Sequence, residues 1–406
     1  MITVVGAGTG PLAHDVRARI AAAPLVVGAP RHLAGVAPAL AGRTLPLSGD
    51  LRPALDAIGA VEEAGGAPVV LASGDPGFFG LVRALGERFG RERLDVVPGV
   101  SSVALAFARA GVSWDDALVV SAHGRDPRAA VNACRAHPKV AVLTSPWFGP
   151  ADLARELAGP SGIRRRFVVA ERLGERGERV AEGDAGTIAA GTWAEPNVVV
   201  VLDEARLPAV PGVSWPRRWG PDRWALPDAA FEHRGGMVTK AEVRAIALAA
   251  LGPGLGDLVW DVGAGSGSVG IECARHGAAV IAVERDPEAC ALVARNAARH
   301  GVEVQVAPGE APGALASLPD PDAVFVGGSG ASLGVVLEVA ARRARRAVVA
   351  ALAAVERVGL AVAALEAGGL TAEGVLVGVS RLSALGVDGA VHRLAPVNPV
   401  FVVQGF

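Results

Sequence analysis

The chain has 406 residues, a net charge of −2, 51% hydrophobic and 20% charged residues, which suits two or three soluble domains with sizeable cores. No apolar run approaches the ~18 residues of a membrane-spanning helix, and no basic segment followed by an apolar one opens the chain. Cys134, Cys273 and Cys290 are too dispersed for a disulfide framework or a metal site, and so small a charge is wrong for a nucleic-acid binder; a cytoplasmic, metal-free protein with no membrane or nucleic-acid partner is expected.

In chain order, short β-branched runs alternate with alanine- and arginine-rich amphipathic segments. The first runs are Ile2–Val5, Pro68–Ala72, Leu94–Val97, Leu118–Ser121, Val140–Leu143, Phe167–Ala170 and Val198–Leu202. Strands alternating with helices predict α/β layers with largely parallel sheets, whose binding crevices lie at the carboxyl ends of the strands. The opening run leads into Gly6-Ala7-Gly8-Thr9-Gly10. Its third glycine comes too early for the dinucleotide pattern G-x-G-x-x-G, and no acidic residue ends the next run, Leu25–Gly28, so a nicotinamide cofactor is rejected here. Three further turns each follow a strand: Ser73-Gly74-Asp75-Pro76-Gly77, Pro98-Gly99-Val100-Ser101-Ser102 and Ser121-Ala122-His123-Gly124-Arg125. Taken singly, each has ordinary turn chemistry.

From Leu207 to Gly236 five prolines and three tryptophans predict a segment that is neither helix nor central strand, either a plain linker or a strap packed on a domain surface. Beyond it, Thr239 and Glu242 have capping-box spacing, and Lys240 and Arg244 share a helical face. That pair reads either as a solvated face or as a grip on substrate carboxylates. The later runs are Leu258–Val262, Val280–Val283, Val302–Val306, Ala323–Val326, Ala347–Ala350, Ala372–Val377 and Val400–Val403. The first of them enters Asp261-Val262-Gly263-Ala264-Gly265-Ser266-Gly267, then a helix over Val269–Arg275. Such glycines let a backbone approach a ligand at a helix amino end. Asp261, two positions before the first glycine as is typical of S-adenosylmethionine (SAM) sites, would reach the methionine end of that cofactor, and Glu284, 21 residues after Gly263, could accept the ribose hydroxyls. A dinucleotide dehydrogenase shares the second feature but has the wider spacing G-x-G-x-x-G, and a structural strand-to-helix turn is the plain alternative. Glu310 and Ala311 lie where such folds contact adenine, and Gly327-Gly328-Ser329-Gly330 leaves room for a bulky flat substrate.

Met1 to about Ala205 resembles the tetrapyrrole methylases, the class III SAM-dependent methyltransferases, through its three downstream turns taken in order. The resemblance implies that Gly74, Asp75, Pro76, Ser101 and Ser102 line a SAM cleft between two α/β lobes, with the first glycine loop facing the tetrapyrrole. Met237 to Phe406 resembles the small class I decarboxylating methyltransferases of the corrin pathway, through Met237–Leu251, Asp261–Gly270, Glu284–Asn296 and Phe325–Gly330. The expected architecture is therefore α/β throughout: a two-lobed tetrapyrrole methylase domain over 1–205, a linker over 206–236 and a Rossmann-like class I methyltransferase domain over 237–406.

Together the resemblances imply a bifunctional SAM-dependent enzyme of cobalamin biosynthesis; a homo-oligomer is a separate expectation. The enzyme would methylate precorrin-6Y at C5 with the first domain and at C15 with the second, with decarboxylation of the ring C acetate. Arg125, Lys240 and Arg244 are candidates for the substrate carboxylates. His123 is a candidate for moving a proton or, equally, a structural histidine. An RNA methyltransferase on the same fold is disfavoured by the neutral charge, and a non-catalytic corrinoid carrier by two intact glycine loops.

Overall fold

The computed structural model describes residues 1–8, 12–36, 40–47, 49–78, 81–158, 164–207, 223–327, 330–385 and 391–406. Among the described residues three sheets are present. The first contains β1 (Ile2–Ala7), β2 (Leu25–Gly28), β3 (Arg43–Pro46), β4 (Val69–Ser73) and β5 (Leu94–Val97), in the order β3-β2-β4-β1-β5 with all pairs parallel. The second contains β6 (Leu118–Ser121), β7 (Lys139–Leu143), β8 (Arg166–Glu171), β9 (Arg179–Gly183) and β10 (Asn197–Leu202), in the order β6-β7-β10-β8-β9. The third contains β11 (Leu258–Val262), β12 (Ala279–Glu284), β13 (Gln305–Pro308), β14 (Ala323–Val326), β15 (Ala347–Leu352), β16 (Ala372–Leu385) and β17 (Val391–Gly405). Its order is β13-β12-β11-β14-β15-β17-β16, parallel up to β15 and closed by the antiparallel β16–β17 hairpin.

Most of the runs read from the sequence are buried strands, although Leu94–Val97 and Leu118–Ser121 are half-buried and Ala372–Val377 is largely exposed. Val259, Trp260, Val324 and Val348 are inaccessible to solvent, as parallel strands covered by helices on both faces must be. β3 and β9 escaped notice because they are short edge strands whose residues are mostly exposed or half-buried. The run Val302–Val306 starts as a strand only at Gln305, because Val302 still donates to Ala297 O and closes the end of helix Pro287–Arg299.

The chain forms two compact units, one of residues 1–114, 168–182 and 192–200, the other of 115–167, 183–191 and 201–406. The division crosses the expected 205/206 boundary. Within the second unit, helix Arg128–Ala136 lies against β12, and the Asn132 amide donates to Gly256 O at 3.0 Å. Arg165, with only 1% of its side chain exposed, pairs with Asp203 and Glu303 at 2.6 Å each.

Residues 208–222 of the proline-rich segment, with Trp215 and Trp219, lie outside the described residues. Residues 223–236 form a strap on the last sheet's helices. Phe231 is buried beside Ile271 and Ala297, and Asn296 holds Glu232 by both backbone groups, at 2.8 and 2.9 Å. Among the described residues no helix is long and apolar enough to cross a membrane.

Candidate active sites

In the first unit, β4, β1 and β5 are parallel neighbours, so their following loops leave the same edge of the sheet. There the backbones touch. A Cβ on Gly6 would lie 2.5 Å from Gly99 N and 2.6 Å from Gly74 O; one on Gly99 would lie 2.6 Å from Gly74 O. Gly74 also has φ +68°, a left-handed conformation. Glycine is therefore needed by close approach as well as by dihedral, and the result is a wall of packed main chain at that edge. Asp75 Oδ1 accepts from Gly77 N at 2.8 Å and shapes the loop, with Pro76 buried behind it. Ser101 caps helix Ser102–Ala110, its Oγ accepting from Ala104 N at 3.1 Å, so a helix amino end faces the glycines. The expected residues Gly74, Asp75, Pro76, Ser101 and Ser102 are thus brought together. Gly6 and Gly99, which close the wall, were not singled out; their pairing depends on a strand order that spacing along the chain does not reveal.

In the second unit, His123 and Arg125 follow β6 and are exposed, with Gly124 at φ +65° turning the chain between them. Beside them, after the parallel neighbour β7, Ser145 and Phe148 exchange hydrogen bonds at 3.1 Å and project Trp147, 92% exposed, from the tip of the turn.

The third sheet presents a second glycine-lined edge. Gly263, Gly265 and Gly267 all have left-handed φ, of +70°, +56° and +72°, directly after β11. Nothing lies within 4 Å of a Cβ built on Gly265, so this loop borders open space. Glu284, at the end of β12, accepts from Gly265 N at 2.9 Å and from Arg285 N and Asp286 N. Gly309 N donates to Glu284 O at 2.9 Å, which sets the Glu310–Ala311 turn beside it; Glu310 itself pairs with Arg285 on the surface. Gly327 closes the other side, where a Cβ would lie 2.8 Å from Gly263 O. Gly328 and Ser329 lie outside the described residues.

Asp261 is 1% exposed, and its Oδ2 accepts from Gly270 N at 2.8 Å, pinning helix Ser268–Arg275 to the strand. Burial pushes its carboxyl up to about 7; the Gly270 bond opposes this and the Glu284 charge adds to it. The contact it makes is internal to the loop, a role that sequence spacing does not distinguish from a ligand contact.

Arg244 requires a correction. Expected at the rim, it is fully buried beneath the strap, pairs with Glu272 at 3.5 Å, donates to Thr239 O and Leu226 O, and lies 4.7 Å from the centre of the Phe231 ring. The guanidinium holds the strap and helix Ala241–Leu251 in place and, being fully buried, is not presented at the surface to a substrate. The expected capping box is also absent: the helix begins at Ala241, Asp228 in the strap accepts from Ala241 N at 2.9 Å, and Glu242 pairs with Arg381. Lys240 stays near the surface, donating to Gly236 O at 3.1 Å.

Two family models match the chain: tetrapyrrole (corrin/porphyrin) methylases over residues 1–189, and a precorrin methyltransferase domain over 229–404. The chain is 40% identical over 347 residues to a precorrin-6Y C5,15-methyltransferase (decarboxylating) of Sinorhizobium, covering 82% of this chain and 80% of that one. It is 36% identical to the cobalt-precorrin-7 C5-methyltransferase of Salmonella typhimurium, over 50% of this chain and all of that one. It is 37% identical to the probable cobalt-precorrin-6B C15-methyltransferase (decarboxylating) of Pyrobaculum calidifontis, over 45% of this chain and 95% of that one.

Proposed function

The chain belongs to the family of precorrin-6Y C5,15-methyltransferases (decarboxylating), and from that premise we propose how its two modules divide the work. It is a methyltransferase of cobalamin biosynthesis that joins two methylations and a decarboxylation in one chain. In our reading the tetrapyrrole methylase module methylates C5, and the module after the strap methylates C15 and releases the acetate carboxylate. What carries this division is the match of one chain to a two-activity relative and, separately, to nearly the whole of two single-activity proteins.

SAM fits both clefts as methyl donor. The first cleft is a main-chain wall with a helix amino end beside it; the second has open space over Gly265 and a carboxylate, Glu284, at the end of the neighbouring strand. Gly74, Asp75, Pro76, Ser101 and Ser102 would hold SAM in the first, and Asp261, Gly263, Gly265, Gly267, Glu284, Glu310 and Ala311 would form the second. When bound, it supplies an electrophilic methyl group. The protein's own contribution is then orientation, which can contribute ~7–11 kcal/mol. For decarboxylation, the acetate must be aligned with the conjugated ring and held loosely, since a strong ion pair stabilises the ground state. With Arg244 buried, Lys240 is the remaining candidate of that pair for another carboxylate at the rim, and Arg125, with His123 beside it, serves the first module. The cysteines are free, with Cys134 and Cys273 buried, which suits a cytoplasmic enzyme. The β16–β17 hairpin sets Leu382 opposite Leu394, 74% and 66% exposed, which favours a homo-oligomer.

Gly265→Arg tests the division. It fills open space at a left-handed position, so the fold survives with ~1–2 kcal/mol of strain while the cleft is blocked. Mass spectrometry should then show no C15-methylated, decarboxylated product. Fragment 223–406 should release carbon dioxide from substrate in the presence of SAM; release by fragment 1–207 instead would reverse the assignment.

A further inference from the structure

Outside the residues already described, the first unit carries a cluster of groups able to move a proton. Helix Pro30–Val36 follows β2, the sheet neighbour of β4, and directs two side chains at the last residue of β4. Arg31 Nη2 donates to Ser73 Oγ at 2.8 Å, and His32 Nε2 lies 2.8 Å from the same oxygen. Arg31 Nε is anchored on Glu175 at 3.1 Å. Ser73 is exposed, whereas His32 is half-buried behind it. The next residue is Gly74, which begins the main-chain wall.

We propose that Ser73 and His32 form the proton relay of the first module's methylation, with Arg31 and Glu175 as positioning residues. The inference rests on the reading that this module methylates a ring carbon. Replacing hydrogen by methyl on an sp² carbon releases one proton, so an acceptor is needed near the transfer site. The ring carbon's π pair forms the new C–CH₃ bond while the S–CH₃ bond of the sulfonium donor breaks, leaving its pair on sulfur and a delocalised cation on the ring. The proton on that carbon then passes to Ser73 Oγ as the serine's own proton passes to His32 Nε2, and the C–H pair restores the double bond.

The geometry favours this direction. A guanidinium can only donate, so Ser73 Oγ accepts from Arg31 and has one hydrogen to give. With its proton on Nδ1, the imidazole takes that hydrogen on Nε2. Burial and then the Arg31 charge hold His32 below its usual range, in the neutral form that an acceptor requires, while Glu175 acts in the opposite sense and steadies the imidazolium once formed. A purely structural cluster would have little reason to end on an exposed hydroxyl at the carboxyl edge of a parallel strand, where α/β sheets bind their ligands.

The test uses the full-length chain, with C15 methylation as an internal control for folding and substrate quality. His32→Ala and Ser73→Ala should each lower the kcat of C5 methylation by about 10²-fold or more, while the SAM dissociation constant measured by calorimetry stays within about twofold. In the wild type, that kcat should fall on the acid side with the protonation of one group, and the limb should vanish in His32→Gln. Independently of turnover, the His32 ring nitrogens should titrate in ¹⁵N spectra, with a midpoint that moves in Ser73→Ala. An unchanged kcat and pH profile in the variants, or a raised KM at unchanged kcat, would overturn the relay. If the wild type added no methyl group at C5 at all, the assignment of the module would fail instead.

Discussion

Replacing Arg165 with methionine tests whether buried charge ties the segments around Arg165 and Asp203 to Glu303, which precedes β13 of the last sheet. Arg165 Nη1 pairs with Asp203 and Nη2 with Glu303 at 2.6 Å, and the side chain also donates to Cys134 O and Arg135 O. Arg206 pairs with the same two carboxylates at 2.6 Å, so two cations and two anions form a closed square. Methionine fills the volume but leaves two largely buried carboxylates sharing one arginine. Breaking two buried ion pairs and removing the donor to Cys134 O and Arg135 O in this way costs ~3–5 kcal/mol. Glu303→Gln keeps hydrogen bonds to both arginines and should cost ~1–2 kcal/mol, because Arg165 remains paired with Asp203. The double variant should fall short of the sum by ~1–3 kcal/mol, since the residues share partners. In a melt followed by near-ultraviolet circular dichroism, Arg165→Met should lower the midpoint of the second unit by ~6–20 °C at ~2–4 °C per kcal/mol. Burial tends to raise Asp203, but Arg206 and Arg165 hold it below its ordinary 3.8. Its contribution is therefore present above that value and lost as pH falls through the lower folded value, so the variant should show a weaker acid-side loss of stability. A cost below ~1 kcal/mol, or strict additivity in the double variant, would refute the square as a structural tie.

Gly6→Ala should collapse the first cleft, because its Cβ meets backbone at 2.5–2.6 Å with no side chain able to yield; calorimetry should show loss of one of two SAM sites, and an unchanged stoichiometry would contradict this. Asp261 has a folded pKa of about 7 against 3.8, so its contribution to stability is present below the lower value and lost as pH rises through the upper one; Asp261→Asn, which still accepts from Gly270, should flatten that decline in melts between about pH 4 and 8. Arg244→Met should destabilise the last module by ~1–3 kcal/mol, because Thr239 O and Leu226 O lose a buried donor while Glu272 keeps Arg275 at 2.9 Å, whereas Lys240→Ala should raise the substrate KM with little effect on stability; equal melting points for the two variants would refute the structural role of Arg244.

How much was legible depended on what each residue's role requires. Strands buried on both faces announce themselves as apolar runs, and glycine loops after them mark candidate sites; Gly263, Gly265 and Glu284 stand out by spacing, whereas Gly74 and Ser101 are implied by the resemblance to the tetrapyrrole methylases, their turns having ordinary chemistry when taken singly. Arg244 could not be placed, because helical periodicity puts it on a face with Lys240 without saying that a proline-rich strap covers part of that helix. The same strap provides Asp228 as the acceptor for the helix amino end, replacing the local Thr239 cap that short-range chemistry suggests. His32 and Ser73 are 41 residues apart, and β2 and β4 bring them together only because the chain inserts them side by side in a parallel sheet.

The two modules have different folds yet solve one problem in the same way. In each, the loop after a central parallel strand is wedged against neighbouring main chain: Gly6 against Gly74 and Gly99, Gly263 against Gly327. A ligand held by such a wall is positioned by backbone groups, which cannot change rotamer and lose no side-chain entropy on binding. That arrangement separates two demands. On the proposed reading, backbone would hold the common methyl donor, and side chains at the edge of each wall would be left to suit one substrate or one step. In the first unit those edge groups are Ser73 and His32; in the last module Lys240 is the candidate. Substitutions at the wall should therefore remove binding and activity together, whereas substitutions at the edge should change rate, pH dependence or substrate affinity while SAM continues to bind.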